Sequence, residues 1–189
     1  MLEKFFPDLI VDKVEDIDLD FLKKKGVKGL ILDIDNTLVP QYTKEAGDSV
    51  VKWIARVKSA GLNACIVSNA SQKRVAKFNE RLKILAIHRA TKPSPKSFLR
   101  AVQLMKLKAD EAAVVGDQIF TDVYGGNRLD MLTVLVKPID EREILFVRLK
   151  RYAERFVLAK HNSVRENKNS LDKRLKWKRN SALKHRRGR

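Results

Sequence analysis

Five short runs of β-branched and aliphatic residues alternate along this chain with longer amphipathic stretches, and the alternation leaves few folds open. KGLILDID (28–35) reads as a buried strand. The spacing then predicts a helix over 44–60, with Val50, Val51, Ile54 and Val57 on one stripe and Gly61 as its stop. NACIVSNA (63–70) reads as a second strand feeding the polar helix SQKRVAKFNERL, and LAIHRA (85–90) as a third strand that carries His88 as a structural residue. PSPKSFLRAVQLMKL (93–107) reads as a helix with Pro near its start, followed by strands AAVVGDQ (112–118) and LTVLVKP (132–138). Strands separated by helices need crossover connections, so they lie parallel with helices on both faces of the sheet. The expected fold class is therefore α/β, a doubly wound, Rossmann-like parallel sheet, and the sequence shows no internal repeat.

Sheets of this kind bind ligands beyond the carboxyl ends of their strands. Asp33 and Asp35 end the first strand, Ser68 the second, Thr91 and Lys92 follow the third, and Asp117 and Asp122 follow the fourth. All these groups are expected on one edge. Four carboxylates, a hydroxyl and an ammonium suit a hard divalent cation and a phosphoryl group, and oxygen-only ligands favour Mg²⁺. Asp33 and Asp35, two apart in an extended strand, share a face and can reach one phosphate.

DIDNT (33–37), Ser68 in VSNA, Lys92 in KPSP and GDQIFTDVYGGNR (116–128) follow the order and rough spacing of four motifs, and on them the chain resembles the haloacid-dehalogenase superfamily of phosphatases. The resemblance covers about residues 28–137 and is nearest to the YqeG-type, class IIIA branch, which is similar to phosphatidylglycerophosphate phosphatases. It implies a Mg²⁺-dependent phosphomonoester hydrolase. Asp33 would be the nucleophile and form an aspartyl-phosphate. Asp35 would protonate the leaving alkoxide and later activate water. Ser68, with the Asn69 backbone, would bind phosphoryl oxygens, and Lys92 would supply positive charge. The metal would take Asp33, Asp35 through its carbonyl, and Asp117. Asp122 would orient Lys92 or a metal-bound water, Thr37 and Thr121 would support the site, and Gly125 and Gly126 would admit substrate backbone-close or serve a turn. A receiver domain uses similar groups in a different order, and the late GDQIFTD station argues against it.

The intervals between the stations are filled by a helix and its connections, which leaves no room for a large cap domain; 39–47 is at most a small flap. An open site suits large or surface-presented substrates. The 189 residues carry a net charge of +17, and 148–189 alone hold 16 basic and 3 acidic residues. The chain is thus expected to divide into a phosphatase domain at 1–160 and a flexible basic tail at 161–189. Asp12 to Asp20 is expected to be an exposed loop and helix start. Leu145, Leu149, Tyr152 and Phe156 form an apolar stripe flanked by Arg148, Arg151 and Arg155, which either packs on the sheet as a last helix or lies on an anionic membrane. Phosphatidylglycerophosphate is the expected substrate; the alternatives are a soluble phosphate ester, or RNA or ribonucleoprotein binding through the tail, to which charge alone is indifferent. Cys65, the single cysteine, excludes an internal disulfide and a thiolate metal site. With no stretch resembling a signal peptide or membrane span, the expected location is cytoplasmic, with peripheral attachment to the inner membrane face.

Overall fold

Each expected strand forms, and each is shorter than the run that carries it. The computed structural model describes residues 2–41, 43–140, 152–161 and 163. Its strands are β1 (Leu9–Val11), β2 (Gly29–Leu32), β3 (Asn63–Val67), β4 (Leu85–Ile87), β5 (Ala112–Gly116) and β6 (Leu132–Val136), and its longer helices α1 (Leu19–Lys24), α2 (Asp48–Ser59), α3 (Gln72–Asn79) and α4 (Pro95–Met105). The six strands form one sheet in the order β1-β6-β5-β2-β3-β4, and every pair is parallel.

All four residues of β2 are buried, as a strand covered on both faces requires. Alternate side chains serve opposite layers. Leu30 and Leu32 join Val50, Trp53, Ile54 and Val57 of α2 and Val75 and Phe78 of α3. Ile31 joins Cys65 and Val67 of β3 with Phe98, Ala101, Val102 and Met105 of α4 on the other side. Local chemistry sets the helix starts. Asp18 accepts the N–H of Phe21 at 2.9 Å to cap α1, Ser71 accepts that of Arg74 at 3.3 Å to cap α3, and Pro95 opens α4.

Two expectations about the ends of the chain are corrected. A short strand, β1, pairs with β6 at the sheet edge, where Asp8 accepts the N–H and hydroxyl of Thr133 at 2.8 and 3.0 Å. The acidic run behind it is not wholly a surface loop, because Val14, Ile17 and Leu19 are buried in the core. At the other end, residues 152–161 are helical, and of the two readings of the apolar stripe the one that packs it on the sheet is corrected at Tyr152 and Phe156. Tyr152 and Phe156 are 77% and 68% exposed, whereas Glu154 and Val157 are buried. Leu145 and Leu149, like the rest of 141–151 and nearly all of the basic segment, lie outside the described residues. Among the described residues, no helix is long and apolar enough to cross a membrane.

Register now positions the chemistry. β2 lies between β3 and β5, with Leu32 opposite both Ile66 and Val115. The residues that follow these three strands therefore emerge side by side at the middle of the sheet's carboxyl edge.

Candidate active site

Asp33 follows β2 directly and donates its N–H to Val115 O at 3.0 Å, which ties it to the end of β5. The chain then turns sharply. Asn36 has φ of 62°, a left-handed conformation that Asn tolerates better than most residues, and its N–H reaches Val39 O at 2.8 Å. This turn places the buried Thr37 so that its hydroxyl donates to Asp117 Oδ1 at 3.2 Å. Asp117 itself follows Gly116 at the end of β5, and a wide turn at Ile119–Val123 carries Asp122 back over the strand end. Gly116 makes that return possible, since a Cβ there would lie 2.5 Å from Asp122 Oδ2.

The third station enters from β4. Lys92 is buried, and its backbone is gripped by Asn69, whose Oδ1 accepts the Lys92 N–H at 2.7 Å. Its ammonium donates to Asp33 Oδ1 and to Asp122 Oδ1, each at 2.7 Å. Asp33, Asp117 and Asp122 each offer an oxygen within 4.8 Å of the others. At this point three buried carboxylates thus face one ammonium among the described residues. Burial pushes the Asp33 carboxyl up, Lys92 pulls it down, Asp122 and Asp35 push it up again, and it settles at about 6. Burial alone would lower the pKa of Lys92, but Asp122 and Asp33 outweigh it and hold it above the ordinary lysine value. An excess of buried negative charge built from oxygen donors is the environment a hard divalent cation fits, because it offsets the repulsion that desolvation makes costly.

Of the residues singled out in the sequence, Asp33, Lys92, Asp117, Asp122 and Thr37 thus converge through direct contacts. Thr121 donates to Asp122 Oδ2 at 3.1 Å. Ser68, at the end of β3, is buried, and its hydroxyl accepts the N–H of Ala70 at 3.2 Å. The Asp35 carboxylate instead faces Arg74 of α3, with Asp35 Oδ1 and Arg74 Nη2 2.9 Å apart. Nothing in the sequence marks Arg74, which sits in a polar helix among other basic residues. Its second nitrogen, Nη1, donates to Lys44 O at 3.1 Å, and its guanidinium lies 5.5 Å from the centre of the Phe78 ring. One side chain thereby links Asp35 to the 39–47 segment.

Two readings change, and one residue that the sequence did not single out reaches the site. Gly125 and Gly126 serve packing, because a Cβ would meet Phe98 at 2.5 Å from the first and Thr133 and Val114 at 2.8 and 2.9 Å from the second. His88 lies just past β4 and is exposed, outside the apolar core. Glu154, far beyond the motifs, accepts the N–H of Ile119 at 2.7 Å in the turn that carries Asp122.

Comparison with known proteins agrees with this geometry. A family model described as mitochondrial PGP phosphatase matches residues 2–140. The chain is 42% identical over 160 residues to the probable phosphatase YqeG of Bacillus subtilis (strain 168), covering 84% of this chain and 93% of that protein. It is 30% identical over 155 residues to phosphatidylglycerophosphate phosphatase 1, chloroplastic/mitochondrial, of Arabidopsis thaliana, covering 75% of this chain and 43% of that protein. Among solved structures, an uncharacterized protein from Listeria monocytogenes serotype 4b is similar at a TM-score of 0.50 and 18% identity, covering 63% of this chain and 86% of that one, a likeness of fold.

Proposed function

Because the chain belongs to the mitochondrial PGP phosphatase family and is a phosphatase of haloacid-dehalogenase type, we propose that it hydrolyses the phosphomonoester of phosphatidylglycerophosphate through an aspartyl-phosphate on Asp33. The observation that carries the mechanism is the buried cluster in which Lys92 Nζ lies 2.7 Å from both Asp33 and Asp122 beside Asp117. The matched family and the Arabidopsis relative support the lipid substrate. So does the plan of the site, since among the described residues a single helix, α2, occupies the connection from β2 to β3, with no cap domain there.

In this reading an oxygen of Asp33 forms a bond to phosphorus as the bond to the substrate oxygen breaks. Asp35 delivers a proton to that leaving oxygen. Water then attacks the phosphorus of the aspartyl-phosphate, Asp35 takes its proton, and the Asp33 carboxylate and inorganic phosphate are released. Lys92 offsets negative charge on the transferred group, and the Lys92–Asp122 pair keeps the ammonium beside Asp33. Ser68 and the Asn69 backbone bind phosphoryl oxygens, while the Asn69 side chain holds the Lys92 backbone. Asp33 and Asp117, with the Asp35 carbonyl, would hold Mg²⁺, and Thr37 keeps Asp117 in place through its hydroxyl. The cation supplies electrostatic stabilisation of the phosphoryl oxygens and relieves repulsion between them and the carboxylates.

We assign residues 1–160 to the catalytic unit and 161–189 to a basic segment that holds the enzyme at an anionic bilayer. Its charge supports the second part, since each Lys or Arg near such a surface contributes roughly 1 kcal/mol. The covalent step is tested with a substrate carrying labelled phosphorus and an acid quench. A hydroxylamine-labile label on the wild-type chain, absent from Asp33→Asn, is expected. An unlabelled chain that nonetheless releases phosphate would show direct attack by water.

A further inference from the structure

The segment 152–161 lies beyond every motif in the sequence, yet one of its side chains reaches the active-site turn. Glu154 is 4% exposed, on a helix whose neighbours Arg155 and Lys160 are in solvent. A carboxylate is rarely buried without a strong partner. Glu154 Oε1 accepts the backbone N–H of Ile119 at 2.7 Å. Ile119 opens the turn Ile119–Val123, two residues after Asp117 and three before Asp122, and Gln118 before it makes no side-chain cap. The first N–H groups of such a turn have no partner within it, and an anionic acceptor satisfies one with a charge-assisted bond.

Packing fixes the same register. Val157, one helical turn beyond Glu154, is buried with Ile119, Val123 and Leu135, and Leu158, Phe6 and Phe120 pack around them. The ring of His161 lies 5.1 Å from that of Phe6. The far side of the turn is held from the amino terminus, where Phe5 stacks on Tyr124 at 4.6 Å and Asn127 Nδ2 donates to Lys4 O and Phe6 O, both at 2.9 Å. Inside it, Asp122 donates its own N–H to Gln118 O at 2.9 Å, so an anchor on Ile119 also bears on Asp122.

We propose that Glu154 is a positioning residue of the phosphatase site: it anchors the Ile119 N–H, fixes the turn that aims Asp117 and Asp122 at Asp33 and Lys92, and makes the 152–161 helix part of the catalytic machinery. The proposal rests on Asp117 and Asp122 acting in catalysis as described above. Glu154 itself touches no reacting atom. A displacement of about 1 Å at such a turn can lower turnover about a hundredfold, so loss of the anchor slows the enzyme without removing its chemistry.

The test uses the full chain with Glu154→Ala, Glu154→Gln and Val157→Ala. Three quantities are read: hydrogen exchange of the Ile119 amide, calorimetric binding of Mg²⁺ alone, and kcat and KM on p-nitrophenyl phosphate. Glu154→Ala is expected to lose Ile119 protection, to bind Mg²⁺ about tenfold or more weakly, and to lose kcat about ten- to a hundredfold with KM within threefold. Glu154→Gln keeps an oxygen acceptor and recovers most of each. Val157→Ala, which leaves the Glu154 carboxylate in place, lowers Tm through lost packing and weakens Mg²⁺ binding less than Glu154→Ala does. If the Ala variant does not fold, Glu154→Asp, one methylene shorter, withdraws the carboxylate in its place. Wild-type Ile119 protection in a folded Glu154→Ala or Glu154→Asp chain overturns the proposal, as does a loss of Tm with Mg²⁺ affinity and kcat intact. A wild-type chain that binds no Mg²⁺ and releases no phosphate overturns the reading of Asp117 and Asp122 first, and the proposal with it.

Discussion

A single methyl group at Gly116 tests whether the site depends on the close return of Asp122. Gly116 does not have a positive φ, so crowding is the whole effect of an alanine there. Its Cβ would stand 2.5 Å from both Cβ and Oδ2 of Asp122, and nearer still to Cγ, where ordinary contact begins at 3.4 Å. The Asp122 side chain must therefore retreat by about 1 Å. It has little freedom to do so gently, because Oδ1 lies 2.7 Å from Lys92 Nζ and Oδ2 accepts from Thr121 at 3.1 Å and from the Gln118 N–H at 3.3 Å. Overpacking a filled interior costs about 1–3 kcal/mol. For a chain of this size each kcal/mol lowers Tm by about 2–4 °C, so a fall of about 2–12 °C is expected. Displacing the partner of Lys92 by such a distance lowers kcat/KM about a hundredfold. The assay is Mg²⁺-dependent phosphate release from p-nitrophenyl phosphate beside thermal unfolding by circular dichroism. Gly125→Ala, which crowds the Phe98 ring and not a carboxylate, is the control that loses Tm with a much smaller loss of rate. A Gly116→Ala enzyme within threefold of wild type would refute the reasoning.

Other outcomes follow from the same geometry. Arg74→Ala removes the bond to Asp35 and the tether to Lys44, and should lower kcat about tenfold while Tm falls by about 4 °C, since a partly buried ion pair of this kind contributes about 1 kcal/mol; unchanged turnover would deny Arg74 any part in positioning Asp35. Burial pushes the Cys65 thiol up to about 12, so iodoacetamide at pH 8 should label it only in denaturant, and rapid labelling of the native chain would contradict its place in the core. Burial, opposed by Lys92, raises Asp33 to about 6, so the folded metal-free chain favours its protonated form, and the stability this contributes is lost as pH rises through about 6. A divalent cation competes with that proton, so the gain in Tm on adding Mg²⁺ should grow from pH 5 to pH 7; a gain that shrinks over this range would contradict cation binding at Asp33.

Much of the fold was legible because a parallel strand covered on both faces has to be apolar throughout, and GLIL of β2 and AAVVG of β5 satisfy this in the sequence alone. The site was legible for a related reason: chemistry at strand ends is local in sequence, so Asp33, Ser68, Lys92 and Asp117 each announce themselves beside a strand. What depends on distant partners was not. β1 has three residues between acidic flanks, and its pairing is set by β6 and by Thr133 some 125 positions away. Arg74 matters only because α3 brings it to Asp35, 39 positions earlier. The last helix shows the limit of periodicity. Tyr152 and Phe156 share a face, and so do Glu154, Val157, Leu158 and His161; spacing alone cannot say which stripe turns inward. The second one does, because its carboxylate meets an unpaired backbone N–H and its apolar members meet Ile119 and Val123.

Phosphate release from phosphatidylglycerophosphate in anionic vesicles, with Mg²⁺ and beside soluble sugar phosphates and nucleotides, tests the central claim most directly. The account predicts that the lipid has the highest kcat/KM, that Asp33→Asn abolishes release, and that truncation after residue 160 weakens release from vesicles more than from soluble esters. Release confined to soluble esters and indifferent to truncation, or a lipid phosphatase activity that survives Asp33→Asn, would contradict it.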